Sequence, residues 1–197
     1  MFATARDLRL RPDEINLELA DMMKAALHRL SQGIGALFAF ARSPDMELAR
    51  RNLSSCEYEA FRSLARSEQL HSLQVLEKVL SDDPAAPKAL IAAALLHDVG
   101  KSRYRLSVWQ KTLAVIIEAI APRLSCRLSE DEALGFARAP FVVRRHHAQW
   151  GGEILRNCGS DEEVIWLVER HQDGAERHRD RRTFALLSKL QSADSES

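Results

Sequence analysis

The feature that most constrains the fold of this 197-residue chain is an uninterrupted apolar run that ends in a histidine and an aspartate. Residues 90–96 are all Leu, Ile or Ala, and the next five residues are His-Asp-Val-Gly-Lys. The run predicts a buried helix, and Gly100 predicts a left-handed end to that helix. A buried carboxylate at Asp98 needs a cation or several hydrogen-bond donors to offset its lost hydration. A metal ion bound by His97 and Asp98 would meet that need.

Composition and periodicity predict an all-α fold. Aromatic residues make up only 6% of the chain, and Ala, Leu, Arg and Glu recur at helical rather than alternating spacing. The length suits one domain with a helical extension. We predict an N-terminal helical extension over residues 1–53 and a single helical domain over residues 54–197.

Charge and cysteine content exclude several classes of protein. The 28 Lys and Arg residues balance the 28 Asp and Glu residues, which disfavours bulk binding to nucleic acid or anionic lipid. The charged N-terminus does not resemble a signal peptide, and no apolar stretch is long enough to span a membrane. Three widely spaced cysteines, Cys56, Cys126 and Cys158, are expected to be reduced thiols. We therefore predict a soluble, cytoplasmic protein.

Four further side chains that can bind a metal are predicted on the inward faces of other helices. His71 shares a four-residue stripe with Val75, and Asp194 follows Leu190 at the same spacing. The four candidates are His71, His147, His171 and Asp194.

The segment 144–152 is Arg-Arg-His-His-Ala-Gln-Trp-Gly-Gly. His147 is expected to open a helix one turn before Gly151, where the missing side chain would let another backbone come close. His146 is the alternative metal ligand, and the spacing to Gly151 favours His147.

Each of these residues alone has an ordinary interpretation, such as a hydrogen-bonded core histidine or a capping carboxylate. Together with His97 and Asp98 they form a set of six candidate ligands on different helices or helix ends. Imidazole and carboxylate ligands without thiolates suit manganese, iron, zinc, magnesium or cobalt. Six ligands exceed the needs of one tetrahedral ion, so they indicate two divalent ions sharing a carboxylate and a water. Asp98 is the candidate bridge.

The order and local context of these motifs resemble those of the HD superfamily of metal-dependent phosphohydrolases. The resemblance covers residues 55–197 and includes Gln-Leu-His-Ser-Leu-Gln-Val, Leu-Leu-His-Asp-Val-Gly-Lys, His-Ala-Gln-Trp-Gly-Gly, Val-Glu-Arg-His-Gln-Asp-Gly and Leu-Gln-Ser-Ala-Asp. It implies an HD-domain helical bundle with two metal sites. The first would comprise His71, His97, Asp98 and Asp194, and the second Asp98, His147 and His171.

The resemblance also implies hydrolysis of a phosphoester or phosphoanhydride bond in a nucleotide-like substrate. The Gly-Tyr-Pro tract of cyclic-di-GMP phosphodiesterases is missing, because Ala-Glu-Arg follows Gly174. The closing segment is similar to a branch that cleaves dinucleoside tetraphosphates, although that branch usually has Thr where Gln172 stands.

Catalytic and substrate-binding roles are expected for side chains beside these ligands. Asp98 and Lys101 are the candidate catalytic residues, with Lys101 binding a nonbridging phosphate oxygen. Arg144, Arg145 and His146 are candidates for further phosphate contacts. A solvated basic side chain is the ordinary alternative for each cation.

Two other functions fit the same residues. One is a regulatory module that binds a nucleotide without hydrolysing it, and the other is a di-iron oxygenase of the same fold. The predicted helix Val108–Ala121 would form a lid or a subunit contact, which leaves a homo-oligomer open.

Overall fold

The computed structural model describes residues 43–107, 138–179 and 183–197, together with single positions between 110 and 135. The described residues form α-helices joined by short turns, without a strand, which confirms the all-α prediction. The helices are α1 (Met46–Asn52), α2 (Ser55–Ser63), α3 (Arg66–Asp82), α4 (Lys88–Leu96), α5 (Ala139–Cys158), α6 (Glu162–Arg170) and α7 (Phe184–Glu196). Two 3-10 turns cover Val99–Arg103 and Ala175–His178.

The helix α4 is the centre of the core, as its apolar sequence predicts. It packs against α1, α2, α3, α6 and α7. Its residues Leu90, Leu95 and Leu96 are fully buried. A helix that is apolar on all sides needs neighbours all round, so the other helices surround it. His97 and Asp98 are thereby carried into the interior at its C-terminal end.

Local capping residues set several helix ends. Ser54 and Glu57 form the capping box that starts α2, with the Ser54 amide 2.9 Å from Glu57 Oε2. The Asp161 carboxylate accepts a hydrogen bond from the Glu163 amide at the start of α6. Gly159 ends α5 in the left-handed conformation with φ of 69°.

The helix α3 begins at Arg66 and has no side-chain cap. The predicted helix start at His147 is wrong. The helix α5 begins at Ala139, two turns before His147. Pro140 in the first turn permits that start, because the amide missing from proline has no helical partner there.

The end of α4 also differs from the prediction. Gly159 is the one residue with positive φ in the described part of the chain, so Gly100 does not form a left-handed cap. Gly100 instead lies in the 3-10 turn, which packs tightly on α5. A Cβ atom at Gly100 would lie 1.9 Å from the His147 carbonyl oxygen and 2.7 Å from the Gly151 amide nitrogen. The close backbone approach predicted at Gly151 is therefore confirmed, and Gly100 is the residue that makes it.

A disulfide corrects the prediction of reduced thiols at Cys56 and Cys158. The two residues are bonded, with Cα atoms 5.4 Å apart and a sequence separation of 102 positions. The spacing of cysteines in sequence does not report that α2 packs against α5, so the pairing was missed. Cys126 lies outside the described residues, and the cytoplasmic location stays a prediction.

Several predictions concern parts of the chain beyond the described residues. These parts include residues 1–42 and most of the predicted helix Val108–Ala121. The boundary between residues 53 and 54 stays a prediction, although Ala49 of α1 is buried in the same core as α4. In the described part of the chain, no helix has the length and apolar character that crossing a membrane requires.

The Gly100 contact predicts a large effect of one methyl group. Gly100→Ala should lower the free energy of unfolding by about 2–4 kcal/mol, because the added Cβ overlaps the backbone of α5. Urea unfolding followed by circular dichroism measures the change. Gly174→Ala is the matched control, because a Cβ there has no atom within 4 Å. Equal stability of the two variants would contradict the close packing.

The disulfide predicts a second stability change. Replacing both Cys56 and Cys158 by Ser should lower the free energy of unfolding by about 2–5 kcal/mol, because the unfolded chain loses a long closed loop. Wild-type protein in reductant should unfold at the same urea concentration as the double variant. An unfolding midpoint that reductant does not change would show that the bond is absent or contributes nothing.

Candidate metal centre

The structure brings all six predicted metal ligands together at the C-terminal end of α4. They come from five different helices or helix ends, which agrees with the sequence-based expectation. His71 lies on α3, His97 and Asp98 end α4, His147 lies on α5, His171 ends α6, and Asp194 lies on α7.

The Asp98 carboxylate lies at the centre of the cluster and is only 3% exposed. Its Oδ1 atom is 3.2 Å from His147 Nε2 and 3.8 Å from His171 Nε2. Its Oδ2 atom is 3.5 Å from His97 Nε2. The two oxygens of one carboxylate therefore face two different sets of imidazoles.

The remaining two ligands complete the set on the Oδ2 side. The Asp194 Oδ1 atom is 2.8 Å from His71 Nε2 and 3.5 Å from His97 Nε2. Two overlapping groups with metal-binding spacing result, one containing His71, His97 and Asp98, the other Asp98, His147 and His171. Asp98 belongs to both groups, as a bridging carboxylate would.

Hydrogen bonds to the backbone fix the orientation of the three buried imidazoles. His97, His147 and His171 each place Nδ1 next to a main-chain carbonyl of the same helix. The acceptors are the carbonyl oxygens of Ala94 at 3.0 Å, Val143 at 2.9 Å and Val168 at 2.8 Å. A proton on Nδ1 leaves the Nε2 lone pair of the neutral ring directed into the cluster. This is the tautomer that binds a metal through Nε2.

Neighbouring lone pairs show that the cluster fits a cation. His147 Nε2 is 3.2 Å from His171 Nε2, and with Nδ1 protonated neither ring has a hydrogen to share. His97 Nε2 is buried and makes no hydrogen bond. Burial, followed by the nearby His97 and His147 imidazoles, lowers the pKa of His171 to about 3, so His171 stays neutral. A divalent ion satisfies such an arrangement of lone pairs and carboxylate oxygens.

The charged groups of the site shift one another's pKa. Burial alone would raise the pKa of Asp98, but His97, Lys101 and His147 hold it well below its ordinary value. Burial alone would lower the pKa of His97, but the Asp98 and Asp194 carboxylates raise it above 6.5. The two carboxylates therefore favour the protonated form of His97.

The ammonium group of Lys101 supplies positive charge beside Asp98. Lys101 Nζ is 2.5 Å from Asp98 Oδ2 and 3.4 Å from Glu68 Oε2. Burial opposes the charged form, but Asp98 and Glu68 raise the pKa of Lys101. Glu68 was not among the residues predicted from the sequence. Its position three residues before His71, on the same face of α3, is a signal that would have found it.

Gln191, which was also not predicted from the sequence, orients the end of α6. Its Nε2 atom donates to the carbonyl oxygens of His171 at 2.9 Å and Asp173 at 2.6 Å. The last carbonyls of a helix lack helical partners, so these bonds fix the turn that carries His171. Gln191 and Asp194 both lie on α7, three residues apart. This helix therefore orients His171 on the Oδ1 side of Asp98 and supplies Asp194 on the Oδ2 side.

A cavity of about 360 Å³ opens beside His147. Three basic side chains line it, namely Lys101, Arg105 and Arg144. No role was predicted for Arg105 from the sequence. Its apolar walls are formed by Ala65, Tyr104, Leu106, Ala114, Pro140 and Val143. The cavity thus combines cations next to the candidate metal ligands with a largely apolar surface.

Two predicted substrate-binding residues lie apart from this cavity. Arg145 is exposed and does not line it. His146 stacks on Trp150 with ring centroids 5.8 Å apart, whereas His147 is the residue directed into the cluster. The structure therefore places His147 in the cluster, and the choice of ligand stays a prediction.

Comparison with known proteins gives one match. A family model described as the HD domain matches residues 69–196, which is well over half of the 197-residue chain and contains all six clustered residues. Searches of curated proteins and of solved structures gave no match.

The raised pKa of His97 predicts that metal binding depends on pH. A metal at Nε2 must displace the proton that the carboxylates stabilise there. Metal affinity should therefore fall as pH decreases through the raised pKa of His97, by about tenfold per pH unit for each proton displaced. Calorimetric titration with Mn²⁺ at pH 6.5 in buffers of different ionisation enthalpy counts the released protons. Binding without proton release at this pH would contradict the predicted charge state of His97.

Proposed function

This chain is a member of the HD-domain family, and we propose that it hydrolyses a phosphoester or phosphoanhydride bond in a nucleotide-like substrate. Members of this family are generally metal-dependent phosphohydrolases. The observation that carries the proposal is the convergence of imidazole Nε2 atoms on both oxygens of the buried Asp98 carboxylate. Such a ligand set suits a pair of divalent ions that share one carboxylate.

We assign the ligands to the two ions by their positions around Asp98. His71, His97, Asp98 and Asp194 would bind the first ion, and Asp98, His147 and His171 would complete the second. Manganese, iron, zinc, magnesium and cobalt all accept such ligands to different degrees. When bound, the ions supply Lewis acidity and lower the pKa of a coordinated water.

The basic residues of the cavity would bind and orient the phosphate groups. Lys101 lines the cavity and contacts Asp98 of the cluster, so it is placed to offset negative charge on a nonbridging oxygen. Arg144 and Arg105 line the same cavity and would grip further oxygens. For Arg145 and His146, the proposal of substrate binding rests on the sequence alone.

The apolar part of the cavity supports an organic group attached to the phosphate. A volume of about 360 Å³ lies near the lower end of the range for small-molecule sites. Tyr104 offers an aromatic side chain of the type on which a nucleobase stacks. These features favour a nucleotide-like phosphate over an inorganic one.

The proposal predicts metal-dependent phosphate release. Purified protein supplemented with manganese should release phosphate from one class in a panel of nucleotides and dinucleotides. Asp98→Asn should lower the rate by about a thousandfold, because loss of bridged ions removes several kcal/mol of transition-state stabilisation. Its circular dichroism should stay close to that of the wild type.

Asp83→Asn is the matched control, because Asp83 pairs with Lys189 on the surface at 2.7 Å. Its rate should match the wild type. Nucleotide binding without turnover, under every metal tested, would support the regulatory module instead. Oxygen consumption by an iron-loaded form would support the di-iron oxygenase.

A further inference from the structure

The carboxylate that would bridge the two ions is also an ion-pair partner of Lys101. Lys101 Nζ is 2.5 Å from Asp98 Oδ2, the oxygen that faces His97. A divalent ion on that oxygen would lie close to the ammonium group, and the two cations would repel each other strongly in a buried site. Lys101 and the first ion therefore compete for Asp98.

A second carboxylate lies within reach of the same ammonium group. Glu68 Oε2 is 3.4 Å from Lys101 Nζ, and the Glu68 side chain is only 13% exposed. Both residues line the cavity, whereas Asp98 lies below it in the cluster. Glu68 is therefore within reach of the lysine at the cavity wall.

We propose that Lys101 is an exchangeable internal counterion, and that Glu68 is the positioning residue that accepts it when a metal binds Asp98. Before metal binding, Lys101 neutralises the buried carboxylate. After metal binding, Glu68 retains the ammonium group at the wall of the cavity, where the substrate phosphate would lie. The inference rests on the proposed function, because it assumes that Asp98 binds a metal ion.

The roles of the two residues predict opposite effects on metal affinity. Lys101→Met removes the competing cation, so affinity for Mn²⁺ should rise about tenfold or more. Glu68→Gln removes the carboxylate that would accept Lys101, so affinity should fall several-fold. Calorimetric titration of each variant with Mn²⁺ measures both changes without reference to catalysis.

The double variant separates positioning from simple charge removal. If Glu68 acts through Lys101, Glu68→Gln should have no effect on Mn²⁺ affinity in the Lys101→Met background. If Glu68 acts directly on the ion, affinity should fall equally in both backgrounds, which would overturn the proposal. In metal-loaded protein, Glu68→Gln should also weaken inorganic phosphate binding, again only when Lys101 is present.

Arg103→Met is the matched control, because Arg103 is a cation of the same turn. Its ion pair is with Glu153 on the surface, at 2.6 Å. Its Mn²⁺ affinity should equal that of the wild type. If Lys101→Met does not fold, Lys101→Gln provides the same test with a side chain that still donates to Asp98. If the wild type binds Mn²⁺ and the Lys101 variant binds it equally or more weakly, the proposed exchange of Lys101 is overturned, but the proposed function is not. No metal binding by the wild type would overturn the proposed function itself.

Discussion

The burial of the Asp98 carboxylate is the constraint on which the rest of the site depends. An ionised carboxylate this deep in the protein is stable only among positive charges and hydrogen-bond donors. Burial alone would raise the pKa of Asp98, but His97 and Lys101 hold it low, and Lys101 supplies a positive charge at 2.5 Å. Four imidazoles and a second carboxylate around it form a set that suits divalent ions better than protons.

The helical core puts this carboxylate in place through two features. The helix α4 is surrounded by apolar neighbours, so its C-terminal end cannot reach solvent. Gly100 then brings the following turn against the backbone of α5 at His147. The distance between Asp98 and His147 is consequently set by main-chain packing rather than by flexible side chains. Gln191 fixes the turn at His171 in the same way, through hydrogen bonds to backbone carbonyls.

Much of the candidate site could be predicted from sequence because its signals are local. The apolar run before His97, the stripe that contains His71 and the spacing from Leu190 to Asp194 each depend on one helix. The Cys56–Cys158 bond, the role of Gly100 and the pairing of Glu68 with Lys101 depend on contacts between distant segments. A single sequence does not report such contacts, and these are the features that were missed or assigned wrongly.

The most direct measurement of the central claim is anomalous X-ray scattering from crystals of manganese-loaded protein. Two anomalous peaks should appear on opposite sides of the Asp98 carboxylate, one next to His71 and the other next to His171. Loss of the second peak in His171→Ala, with the first retained, would locate each ion individually. Absence of any peak near Asp98 at saturating manganese would contradict the account and leave the cluster as a purely protein-based charge network.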